Sequence, residues 1–147
     1  MKRLLYIATV LILLTFGFSG CTLEMSENGD LDGFWNLKQI DSLDINKKVD
    51  VESERIYWSV QLNMIDVRFV DGRIDECVMK FNKSGDTISI SDPCYYYHTH
   101  GDKVITDVDA LRPYGINSLN EKFIIDHLSP GHMVLRSDKL KLYFKKL

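Results

Sequence analysis

The chain has 147 residues, 45% of them hydrophobic, and 18 Lys plus Arg against 21 Asp plus Glu leave a formal net charge of -3. That length and apolar content fit one ordinary folded domain and exclude a disordered or multidomain chain. The charge offers no broad cationic face for nucleic acid, and 3 cysteines, 3 prolines and 9 glycines exclude a disulfide-packed miniprotein and a Pro-rich linker.

Lys2 and Arg3 open the chain, residues 4–18 are almost unbroken apolar, and no acid precedes Glu24. Such a stretch falls short of the ~20 residues a helix needs to cross the hydrocarbon core, so residues 1–20 read as a secretory signal and not as a permanent span. The motif Phe18-Ser19-Gly20-Cys21 resembles the bacterial lipobox, where small residues fit the protease and the cysteine thiol takes a diacylglyceryl group. The resemblance implies lipidation at Cys21 and a membrane partner held through acyl chains. Each buried methylene is worth ~0.8 kcal/mol, and several chains together exceed the marginal, reversible binding of one. Thr22 follows the cysteine where an Asp would imply inner-membrane retention, so the same resemblance favours the outer membrane, with the leaflet open.

Residues 21–30 continue as a polar, acidic, aperiodic tether, and a domain is expected over residues 31–147. Its dominant signal is alternation of period two between turn residues, with no run of a dozen residues at helical spacing, so the fold class is all-β and antiparallel. A first strand spans residues 33–40 with Trp35 and Leu37 facing in, and residues 41–54 read as a polar loop. Ile56, Trp58, Val60, Leu62 and Met64 then alternate, after which the apolar parity flips to Ile65, Val67 and Phe69, which requires a bulge or a tight turn near Leu62-Asn63.

Cys77, Met79 and Phe81 make the inward face of the next strand, Gly85-Asp86 is a two-residue hairpin turn, and Ile88 and Ile90 return. If Gly85 and Asp86 are the loop, Ser84 faces Thr87, Phe81 faces Ile90 and Cys77 faces Cys94. The last pair would fall at a non-hydrogen-bonded site, where Cα atoms approach to ~4.5 Å, within disulfide reach. A cross-strand disulfide Cys77–Cys94 is therefore expected. The alternative is two buried free thiols, since Pro93 removes a ladder donor. Tyr95 to Tyr97 lead on to Val104-Ile105, and an irregular stretch around Arg112-Pro113-Tyr114-Gly115 can hold one short helical turn. Phe123, Ile125 and His127 alternate, then Met133 and Leu135, and finally Leu140, Leu142 and Phe144.

Eight or nine short strands joined by short links read as an up-and-down barrel of about eight strands. The opening Leu31-Asp32-Gly33-Phe34-Trp35-Asn36-Leu37 and the closing Met133-Val134-Leu135 and Leu140-Lys141-Leu142-Tyr143-Phe144-Lys145-Lys146, with the lipobox, resemble the lipocalin-like (calycin-like) lipoproteins of anaerobic Gram-negative bacteria, a group of unknown function. The resemblance implies that Trp35 closes one end of the barrel, with Arg136 a candidate cation to pack on it.

Trp58, Tyr95 and Tyr97 are the candidate ligand contacts, because tyrosine offers an apolar face with a hydroxyl; packing of the barrel wall is the alternative. His98-Thr99-His100 places two imidazoles on one side of an extended segment, a beginning of a metal site that needs a third ligand from His127 or His132; a solvated strand end is the alternative. No nucleophile with a base, paired acid and base, or phosphate loop is found, so neither an enzyme nor a cofactor is expected. The expected function is a non-catalytic envelope lipoprotein binding a small apolar or amphipathic molecule, or a glycan, in or at the mouth of its barrel. The other reading is a structural or protein-interaction lipoprotein, its protein partner unknown, with a barrel filled by its own side chains. A third reading is a metal-binding protein using His98 and His100.

Overall fold

A computed structural model describes residues 26–97 and 101–147; the expected signal peptide, the expected lipidation site Cys21, and His98 and His100 lie outside the described residues. The alternation produces ten strands among the described residues: β1 (Gly33–Ser42), β2 (Lys47–Asp50), β3 (Ile56–Gln61), β4 (Met64–Phe69), β5 (Cys77–Ser84), β6 (Thr87–Tyr95), β7 (Lys103–Val104), β8 (Lys122–Leu128), β9 (His132–Arg136) and β10 (Leu140–Lys146). Neighbours pair antiparallel in the order β10-β9-β8-β6-β5-β4-β3-β1, and β1 pairs β10 again, which closes a ring of eight. The seam runs from Trp35 opposite Lys146 to Ser42 opposite Leu140.

β2 and β7 lie outside the ring. β2 pairs with the far half of β1, from Gln39 opposite Asp50 to Ser42 opposite Lys47, and its four residues are all exposed. With neither face on the core it carries no inward alternation, which is why residues 41–54 read as a loop. β7 adds two residues beside Cys94 and Tyr95. The parity flip after Val60 is a two-residue turn, with Gln61 opposite Met64 and Leu62 at φ 55°.

The β5–β6 hairpin starts in the expected register, Ser84 opposite Thr87 and Phe81 opposite Ile90, then slips beyond Lys80 opposite Ser91. Asp92 takes a left-handed φ of 52° and Pro93 has no N–H to give, so one extra residue bulges out of β6. Val78 now faces Cys94, and Cys77 faces Tyr95. The expected disulfide is thereby corrected: Cys77 is buried, Cys94 is half-buried on the other side of the sheet, and both are free thiols. A second bulge between Ile125 and His127 ends the inward alternation expected of β8 and leaves His127 exposed.

One end of the barrel is closed by Trp35, fully buried, whose Nε1–H donates to the Leu31 carbonyl at 2.8 Å. The cation on its ring is Lys146, with Nζ 4.7 Å from the centroid and also donating to the Asp30 carbonyl at 2.8 Å. Gly33 makes room for it, since at φ 135° it is a glycine position and a Cβ there would collide with Lys146 Cε. Arg136, the candidate for this role, instead binds Asp126 on the outer face at 3.1 Å. Residues of the expected tether are already folded: a 3-10 turn at Gly29–Leu31 drives Leu31 into the core, a burial worth ~1.5–3 kcal/mol.

Candidate functional site

A barrel of eight strands either fills itself or holds one small ligand, and the end opposite Trp35 is where a ligand would enter. That end is covered by the chain between β7 and β8. Ile105 is buried, and two 3-10 turns follow at Val108–Ala110 and Arg112–Tyr114. Asp107 caps the first, accepting from the Asp109 N–H at 2.9 Å. Pro113 sits in the first turn of the second, and Gly115 at φ 84° ends it, where a Cβ would stand 2.8 Å from Leu142 Cδ2. The segment therefore lies directly on the barrel interior.

Tyr114 is the plug. It is fully buried, its ring lies 5.4 Å from that of Phe69, and its hydroxyl donates to the Asp75 carbonyl at 2.7 Å. Its own carbonyl accepts from Trp58 Nε1–H at 3.1 Å. Trp58 meets Phe123 and Phe144 edge-on, at centroid distances of 5.7 and 5.2 Å. Trp35, Leu37, Trp58, Met79, Tyr114 and Phe123 are all at 0% exposure, so these large side chains occupy the interior themselves. Of the two roles considered for Trp58, the geometry is that of core packing.

Tyr95 and Tyr97 come together as the sequence reading requires, stacked at 5.8 Å and 28°, on the rim outside the plug. The Tyr97 hydroxyl stands 3.5 Å from Asp75 Oδ2. Cys77 Sγ reaches the Asp75 carbonyl at 3.4 Å. Burial, and after it the Asp75 charge, push the Cys77 thiol up to about 12, so it stays protonated at neutral pH and is no nucleophile. Burial likewise raises the Tyr114 hydroxyl. Sequence reading placed a turn at Tyr114 but gave no sign that it was the stopper; the Pro-Tyr-Gly order was the available signal.

The outer wall carries a second group. Asp66 on β4 binds Arg68, whose guanidinium also stands 3.6 Å from Glu76 and 5.9 Å from the Phe34 ring; Phe34 stacks on Tyr57 at 4.9 Å. Burial first, then the adjacent Glu76 carboxyl, raise Asp66 to about 7 against the opposing pull of Arg68. Hollows of about 470 and 390 Å³ share Ser59 and Gln61 on this wall, and another of about 300 Å³ lies over β9 and β10 beside Lys38 and Tyr143. They are open surface depressions. No cluster of three His, Cys, Asp or Glu that could hold a metal occurs among the described residues, where His127 and His132 are both exposed.

Comparison with known proteins agrees with the architecture. The family model described as "Lipocalin-like domain" matches residues 14–147. A lipocalin-like protein of Bacteroides uniformis superposes with a TM-score of 0.61 at 21% identity, covering 81% of this chain and 100% of that one. An uncharacterized protein of Bacteroides eggerthii gives 0.54 at 16% identity, covering 79% and 98%. A protein of Burkholderia xenovorans gives 0.52 at 14%, covering 79% and 82%. At these identities the structures share the fold alone, and no curated protein matches the chain. With a closed ring of eight antiparallel strands, a tryptophan-capped end and a family match over nearly its whole length, the chain belongs to the lipocalin-like domain family.

Proposed function

We propose that this protein is a non-catalytic module of the bacterial cell envelope, anchored by acyl chains on Cys21, that works through its outer surface and not through an internal ligand cavity. The observation that carries the reading is the packed interior: Trp35 and Leu31 fill one end, Tyr114 fills the other, and among the described residues Leu37, Trp58, Met79 and Phe123 between them are fully buried. A filled barrel is a rigid body, and rigid bodies suit docking to another macromolecule at low entropic cost. The lipobox motif ending at Cys21 supports the anchor.

A second reading places a glycan on the rim, where the stacked Tyr95 and Tyr97 offer a flat aromatic face with hydroxyls. Native mass spectrometry of the mature protein, taken from its own membranes in mild detergent, separates these readings. The expected spectrum is the acylated chain alone. A stoichiometric small molecule inside the barrel overturns the first reading, and a retained oligosaccharide lost in Tyr97→Ala selects the second. Cys21→Ala is expected to move the protein from the membrane to the soluble fraction.

A further inference from the structure

The anchor, if it is at Cys21, leaves little freedom in how the barrel meets the membrane. From Ser26 onward the chain is bound to the domain: the Asn28 side-chain amide nitrogen stands 2.7 Å from Ser26 Oγ, 2.8 Å from Asp32 Oδ1 and 2.6 Å from the Leu62 carbonyl and shares its two hydrogens among them, and Leu31 is buried. Four residues, 22–25, separate Cys21 from Ser26. Five Cα steps reach ~17 Å at full stretch. β1 alone has 10 residues, ~33 Å of strand and ~25 Å along the axis of a tilted barrel, so the far rim with Ile45 lies beyond that reach.

The near rim has a surface suited to the position. Leu62 is 40% exposed at the tip of the β3–β4 turn, and it holds φ 55°, a left-handed conformation that Gly or Asn adopts more easily. A leucine in a turn where it is disfavoured, with two-fifths of its surface left to solvent, points to contacts outside the molecule. Met64 follows at 37% exposure, and both Lys83 and Glu27 line the same hollow as Leu62, a cation and an anion that match the phosphate and amine of a zwitterionic headgroup.

We propose that the Trp35-capped end of the barrel rests on the lipid bilayer, with Leu62 and Met64 entering its interfacial layer and the Tyr114-plugged end turned away; this rests on the anchor at Cys21. The test uses the full acylated chain in vesicles of phosphatidylethanolamine and phosphatidylglycerol with brominated acyl chains, and an environment-sensitive fluorescent amino acid inserted at position 62 or, separately, at position 45. Quenching is expected to be several-fold stronger at 62. Equal quenching, or stronger quenching at 45, overturns the orientation while the anchor stands. Protein that does not sediment with the vesicles overturns the anchor and the orientation with it. Leu62→Asn, whose side chain suits the turn, is expected to melt no lower than the parent and to weaken quenching of a reporter at position 64; unchanged quenching there removes Leu62 from the contact.

Discussion

Asp66 shows how one side chain can be set against the stability of its own fold. Its carboxyl is mostly buried beside Glu76, and Arg68 only partly offsets that, so the folded protein retains the Asp66 proton up to about 7 where an ordinary Asp releases it near 3.8. Protonation is thus favoured by folding, and stability is lost as pH rises from about 4 through about 7. Asp66→Asn removes the titrating group and is expected to raise the melting temperature at pH 8 and to flatten its dependence between pH 4 and 8. A parent protein whose melting temperature rises steadily over that interval in step with an unaffected variant contradicts the assignment. Nothing in the sequence marks this residue: residues 66 and 76 become neighbours only because Val67 pairs with Cys77 across β4 and β5.

At the scale of elements, the plug between β7 and β8 has the most direct consequence. Tyr114 contributes a buried ring and a buried hydroxyl bond at once, so Tyr114→Ala is expected to cost ~3–5 kcal/mol by large-to-small substitution in a core, read from denaturant unfolding. If the variant still folds, its barrel opens at that end, and a naphthalenesulfonate dye that leaves the parent dark is expected to fluoresce on it; equal fluorescence of both disproves the plug. Period-two patterning revealed β3 through β5, the inner half of β6 and the hairpin of β9 and β10 because their inward residues alternate without interruption. It missed β2, where both faces meet solvent, and it misjudged the outer half of β6, where Asp92 and Pro93 add a residue that no hydrophobic pattern registers. The candidate ligand residues were legible as aromatics but not as to role, since burial separates Trp58 from Tyr97 and burial is a property of the finished ring.

The whole molecule depends on that ring. β1 and β10, from opposite ends of the domain, form the seam over seven paired positions, so the barrel cannot close before the last strand is made. Removal of residues 140–147 takes away Leu142, Phe144 and the Lys146 contact to Trp35, and exposes the edges of β1 and β9 together. The truncated chain is expected to lose cooperative thermal unfolding; a sharp transition near that of the parent would show that the open sheet is stable alone. With β10 paired on both sides, Lys141 and Lys145 lie on the wall of the closed ring, along its seam with β1.

Closure leaves β2 and β7 as the strands with an unpaired side among the described residues, and both are short and lysine-bearing: Lys47 and Lys48 on one, Lys103 on the other. When two such ends of neighbouring copies meet head-on, their ammonium groups come together before the backbones do, and that repulsion opposes the strand-to-strand addition by which sheets grow into fibres.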